Sequence, residues 1–155
     1  MEIAWRIVQA QVADRAFNGE GARRYGGRWN SKGFPVVYTS SSISLAILEV
    51  LVHIPTYDIL DEYVYIPVEF DQKYTTTLDL NELPPSWNKD PSPRANKQIG
   101  DSWLESRRSV ILEVPSAIVP TEKNFLINPM HPDFDRLKIF KPEKFDLDAR
   151  LLRHK

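Results

Sequence analysis

The chain has 155 residues, a length that fits one domain and leaves little room for a second core. Its 42% hydrophobic and 26% charged residues exclude disorder as the main state, and a formal net charge of -1 argues against a broad surface for nucleic-acid phosphates. There is no cysteine, so disulfides, thiolate nucleophiles and zinc–thiolate sites are ruled out.

The first residues, "MEIAWRIVQAQVADRAF", carry charge too early for a secretory leader, and no apolar run approaches a membrane span. A cytoplasmic protein without membrane contact is the expectation. "IAWRIVQ" then reads as a short strand with Arg6 embedded in it, followed by a glycine-rich loop, "FNGEGARRYGGRWNSKGF". "PVVYTS" is a compact β-rich run. "SISLAILEVLVHI" switches to helical spacing over 43–54, with Ser42 as N-cap and Pro55 closing the segment.

"EYVYIPVEFD" reads as a strand and "TTTLDL" as another. "NELPPSWNKDPSPRANKQIG" has the composition of a long surface connection, and "DSWLESRR" that of a short helix. "SVILEVPSAIV" is a strand ending at Pro115. "EKNFLINPMHPDF" is loop-like, punctuated by Asn-Pro and His-Pro, and the alternating runs around "KPEK" predict a closing β-hairpin. Strands outnumber helices without alternating with them, which favours an α+β fold with mainly antiparallel sheets.

Gly19-x-Gly21 begins like a dinucleotide fingerprint, but Arg24 stands at the third glycine position, and no phosphate-loop spacing occurs. The histidines, His53, His131 and His154, are scattered without metal-ligand spacing. His53 reads as structural, at the end of an apolar helix, and His131 as a hydrogen-bonding loop residue. No bound metal is expected.

Glu49 is the most informative residue. It lies at helical spacing among Leu45, Leu48 and Val52, on a helix that is apolar on nearly every side. A helix of that kind is normally buried, and a buried carboxylate needs a partner or a purpose. A Glu–Arg ion pair satisfies that need, as does a carboxylate fixed at the base of a pocket. Arg28, framed by Gly26, Gly27, Trp29 and Asn30, suits a phosphate, because glycines admit close backbone approach and guanidinium offers a planar fork. The same residues also suit a turn with a solvated arginine and an inward Trp29.

Tyr38 reads as a strand-face aromatic. Ser116 lacks a nucleophile elbow and a placed histidine, so it suits a hydroxyl that positions Glu49 or a ligand. Trp87 and Trp103 read as packing residues. A nuclease is disfavoured by the near-neutral charge and the dispersed histidines.

The ordered set "WRIV", "FNGEGARRYGGRWNSKGFPVVYTS", "AILEVLVH", "LPPSW", "IGDSWL", "VPSAIVPTEKNFLINPMHPDF" and "FDLDARLL" resembles the RES-domain family across nearly the whole chain, as a single domain over 1–155. The family's arginine, glutamate and serine match Arg28, Glu49 and Ser116, and its tyrosine matches Tyr38. The resemblance implies the toxin half of a bacterial type II toxin–antitoxin pair, with an Xre-type helix-turn-helix antitoxin as partner in a hetero-oligomer.

It also implies an ADP-ribosyltransferase-like fold, with two facing β-sheets around a cleft for nicotinamide–adenine dinucleotide (NAD). NAD is then a substrate to be consumed, not a bound cofactor, and the acceptor is water, phosphate or a protein. On that basis Glu49 stabilises positive charge at the ribose or bonds its hydroxyls. Arg28 holds a phosphate, Tyr38 stacks on nicotinamide or ribose, and Ser116 orients Glu49. Arg6 and Asn124 are further substrate contacts. The alternatives are transfer to a host protein and a non-catalytic antitoxin-binding module.

Overall fold

The computed structural model describes residues 1–54 and 62–152, so Pro55 and His154 lie outside the described residues. The strands are β1 (Glu2–Gln9), β2 (Val37–Ser40), β3 (Tyr63–Phe70), β4 (Thr75–Thr77), β5 (Ile111–Pro115), β6 (Lys123–Ile127), β7 (Lys138–Ile139) and β8 (Glu143–Lys144). The helices are α1 (Glu20–Tyr25), α2 (Ile43–Leu51) and α3 (Arg94–Ser106). No helix among the described residues is long and apolar enough to cross a membrane.

The strands form one sheet in the order β4-β5-β6-β2-β1-β3-β7, with β8 also paired to β3. Only β4 with β5 is parallel, so the mainly antiparallel α+β expectation holds. Two separate facing sheets are not seen among the described residues, because the ladder is continuous. That continuity is thin at one place. β1 pairs with β3 along its full length, yet it meets β2 only at Trp5↔Ser40.

One core cluster gathers Ala4, Val37, Val68, Phe70 and Phe125, drawing on both sides of this seam. A second packs Trp29, Trp103, Leu104, Leu112 and Leu126, with Trp87 against its edge. Both tryptophans of the expected packing role are therefore packing residues.

Several elements differ from the sequence expectation. The glycine-rich loop contains α1, entered through Gly19 at φ 74 and left through Gly26 at φ 72, positions where glycine avoids a Cβ clash. Ser42 does cap α2, its Oγ accepting from the Leu45 amide at 3.1 Å, but the helix stops at Leu51. Nor is α2 buried all round: Leu45 and Ala46 are buried, while Leu48 and Val52 are exposed. "EKNFLIN" is not a loop but β6, between β2 and β5. Its five residues and polar start hide it, although Phe125, Leu126 and Ile127 are buried.

The final runs form no hairpin with each other. β7 and β8 each bond to β3, and Phe145 packs on Tyr65 with ring centroids 5.3 Å apart.

The last seven residues of the expected surface connection, 94–100, belong to helix α3. Its buried stripe is Asn96, Gly100, Trp103 and Leu104, and two of these four carry no apolar side chain that a hydropathy pattern could register. Gly100 is needed for close approach, since a Cβ there would lie 1.6 Å from the Trp29 carbonyl oxygen. Alanine recovers ~1 kcal/mol of helix propensity at such a site. Overpacking against backbone costs ~3 kcal/mol. Gly100→Ala is therefore expected to lose about 2 kcal/mol of stability. An unchanged urea midpoint would show that α3 does not press on the turn.

Candidate active site

A cleft of about 1350 Å³ opens between β1, α1, the Gly26–Asn30 turn, β2, α2 and the loop before α3. Arg6, Arg28, Tyr38, Glu49 and Asn124 all line it. Ser116 is fully buried and stands behind Glu49. The sequence candidates thus converge on one site, although they come from six separate parts of the chain.

Glu49 has no cation partner among the described residues. It is held instead by neutral donors. Ser116 Oγ and Asn124 Nδ2 both donate to Oε1, each at 2.8 Å. Ser116 Oγ in turn accepts from the amides of Ile118 and Val119, both at 3.1 Å, so its proton is directed to the carboxylate. Asn124 Oδ1 accepts from Ser40 Oγ at 2.8 Å, which fixes the orientation of the amide. Oε2 has no protein donor among the described residues and remains available on a side chain that lines the cleft. The arrangement leaves one carboxylate oxygen free, where a bidentate guanidinium would have occupied both.

The Gly26–Asn30 turn is held from beneath by Asn30, which is completely buried. Its Nδ2 donates to the carbonyls of Ala22, Ser31 and Phe34, and its Oδ1 accepts from the Tyr38 hydroxyl at 2.6 Å. The same hydroxyl accepts from the Trp29 amide at 3.0 Å. Burial, above all, pushes the Tyr38 phenol well up from its ordinary range. From the other side, α3 grips the turn. Lys97 Nζ donates to the Gly27 carbonyl at 2.6 Å, and Asp101 accepts from the Ser31 amide at 2.9 Å.

Trp29 packs inward, as one reading of the sequence had it, but Arg28 is not simply solvated. Its Nη1 donates to the carbonyls of Trp87 and Lys89 at 3.1 and 2.8 Å, and its own carbonyl accepts from Ser92 Oγ at 2.7 Å. Arg28 thereby clasps the 84–93 loop to the cleft wall. Its Nε and Nη2 make no protein hydrogen bonds among the described residues and leave an edge for an anion.

Arg6 spans the seam between β1 and β2. Nη1 donates to the Tyr38 carbonyl at 3.0 Å and Nε to the Ala16 carbonyl at 2.8 Å. Burial lowers its pKa to about 10, so it stays charged at neutral pH, with no carboxylate beside it among the described residues.

The cleft concentrates positive charge in a chain that is negative overall. Arg6, Arg15, Arg24, Arg28 and Lys97 face Glu20, Glu49 and Asp90, and Glu20 is already paired with Arg23 at 2.8 Å. Such a lining suits an anionic ligand.

His53 is exposed at the cleft rim, one turn after Glu49, and is not the packed structural residue its helix suggested. His131 is a loop hydrogen-bonder as expected. Its Nδ1 accepts from the Asp133 amide, so Nε2 carries the proton donated to the Arg107 carbonyl. Sequence reading missed Ser40, Lys97 and Asp101, and used Asn30 only as a neighbour. The i, i+4 spacing of Lys97 and Asp101 signals a shared helix face once α3 is extended to Arg94. Among the described residues no group of three acidic or histidine side chains is placed to hold a metal.

Two outcomes follow from this geometry. Ser116→Ala strips Glu49 of one donor and leaves the Ile118 and Val119 amides without an acceptor, so it is expected to cost about 2 kcal/mol in urea unfolding. The Tyr38 hydroxyl stabilises the fold fully below pH 10, where the unfolded chain is also protonated, and that contribution is lost as pH rises toward its elevated folded value. Arg6, with a depressed pKa, acts with the opposite sign above pH 10. The difference between wild type and Tyr38→Phe cancels Arg6. It should shrink steadily above pH 10, and a flat difference contradicts the assignment.

Comparison with known proteins identifies the family. The RES domain family matches residues 3–148. A protein named Toxin Res from Yersinia enterocolitica is 42% identical over 148 residues, covering 95% of this chain and 97% of its own. Another Toxin Res, from Photorhabdus laumondii, is 38% identical over 154 residues and 99% of each chain. A Prs ADP-ribosylating toxin from Sphingobium sp. is 37% identical over 155 residues and 96% of each. In fold, the chain is similar to a component of the crystal structure of the Mycobacterium tuberculosis MbcT–MbcA toxin–antitoxin complex, with TM-score 0.76 and 19% identity over 93% of this chain and 84% of that one. With the family pattern matching residues 3–148 of its 155, this chain belongs to the RES domain family.

Proposed function

We propose that the chain is the toxin of a toxin–antitoxin pair and that it consumes NAD by breaking the nicotinamide–ribose bond, on a fold of the ADP-ribosyltransferase type. The observation that carries this reading is Glu49, fixed through Oε1 by Ser116 and Asn124 and open at Oε2 in a cleft where cations outnumber carboxylates. The names of the relatives, Toxin Res and Prs ADP-ribosylating toxin, support it.

The chemistry suits a site of this kind. The nicotinamide ring of NAD carries the positive charge at the scissile bond, so it departs as a neutral molecule with the bonding electron pair and requires no proton donor. Charge then develops on the ribose as an oxocarbenium-like cation, which a nearby carboxylate oxygen stabilises. Glu49 Oε2 supplies that oxygen, or binds the ribose hydroxyls. Arg28 and Arg6 offer their free N–H groups to the pyrophosphate, and the Tyr38 ring forms the wall beside the ribose and nicotinamide. The acceptor's nucleophilic oxygen or nitrogen adds to C1′ and releases its proton to Glu49 or solvent. Water gives ADP-ribose, phosphate gives its 1-phosphate ester, and a protein side chain gives an ADP-ribosylated protein. The Sphingobium relative's name favours keeping the protein acceptor as a second reading. The partner would be an Xre-type antitoxin.

Incubation of the purified chain with NAD, with water, phosphate and cell extract as alternative acceptors, is expected to release nicotinamide, and product masses identify the acceptor. Glu49→Gln should lower the rate by at least ~100-fold, since it removes the charge while keeping the shape. The same change should relieve growth arrest on induced expression. Absence of nicotinamide release in every condition overturns the reading, and loss of folding in Glu49→Gln turns Glu49 back into a structural residue.

A further inference from the structure

We propose that Tyr25 is the stacking face for the adenine ring, and that the adenosine end of the substrate lies between it and the 84–93 loop. This rests on the NAD reading above and extends it to the end of the molecule remote from the chemistry.

Tyr25 is the last residue of α1 and is 77% exposed, an unusual state for so large a ring. Among the described residues its side chain has no hydrogen bond and no aromatic neighbour within stacking range. It nevertheless lines the cleft, with Arg24 and Gly26 on either side in the chain. An unpartnered aromatic at the rim of a concave, cationic site has the chemistry of a base platform: a flat apolar face, a polar tip and little rotamer entropy to lose.

The order of residues along β2 gives the direction. Ser40 bonds Asn124, which bonds Glu49, so that end of the strand marks the reacting ribose. Tyr38, two residues away and therefore about 7 Å along the strand, bonds the Trp29 amide of the turn. Arg28 follows in that turn, and beyond it the chain leads back to Tyr25 on one side and across to Trp87, Lys89 and Ser92 on the other. A ligand with its ribose at Glu49 and a phosphate at Arg28 reaches Tyr25 and the loop next. Asn88 and Asp90, which line the cleft from that loop, meet the same end of the ligand.

The test compares wild type, Tyr25→Ala and Tyr25→Phe. Tyr25→Ala should raise the KM for NAD about tenfold with kcat little changed, the loss of one stacked base, while Tyr25→Phe behaves as wild type. On nicotinamide mononucleotide, which lacks adenosine, wild type and Tyr25→Ala should be indistinguishable. Titration with AMP reads the subsite without any turnover, and Tyr25→Ala should weaken that binding about tenfold. An unchanged KM and unchanged AMP affinity overturn the proposal, as does equal damage to both substrates, the result expected if Tyr25 serves the turn or a protein partner instead. Failure of wild type to cleave NAD overturns the proposed function separately, because the AMP titration still reports on Tyr25.

Discussion

The buried amide of Asn30 is the constraint on which the cleft depends. Its donors close three carbonyls of the chain around it, and its acceptor fixes the Tyr38 hydroxyl, which then fixes the backbone of Trp29. No other neutral side chain of that size offers two donors and an acceptor in one plane. This knot ties α1, the turn and β2 together, and α3 braces it through Lys97, Gly100 and Asp101. The backbone that carries Arg28, one of the cleft's cations, and the Tyr38 ring of its aromatic wall are therefore positioned by the same set of bonds.

The opposite wall is built on another logic. Glu49 projects from a short helix whose position relies on packing against β1 and β2, and its orientation is fixed by residues of β6 and the end of β5. Donors without charge orient the carboxylate without quenching it, so the site holds opposite charges on facing walls that do not collapse onto each other. A ligand that carries a cationic end and an anionic middle matches that separation.

Part of this was legible in the sequence because residue types there announce themselves. Ser42 ahead of a helical pattern caps α2, and Glu49 and Arg28, singled out by an apolar helix and by flanking glycines, both line the cleft, although α2 is not buried on every side. What escaped was packing that uses polar or absent side chains. α3 buries Asn96 and Gly100, so its period is not written in hydrophobicity. β6 is a central strand whose first residue pair, Lys123 and Asn124, reads as surface because Asn124 faces the cleft. The terminal runs have the alternation of a hairpin, but β3 offers each a free edge, and tertiary pairing overrides the local one. The partners of Glu49 could not be derived from spacing at all, since they lie 67 and 75 residues away.

The seam between β1 and β2 gives Arg6 a double position. Where the ladder opens after Trp5↔Ser40, the Tyr38 carbonyl finds a guanidinium in place of a backbone amide, and that guanidinium also faces the cleft. One stitch thus joins the two halves of the sheet and presents charge to whatever enters. An incoming anion meets the same guanidinium that closes the backbone, so the seam and the cleft draw on one set of N–H donors.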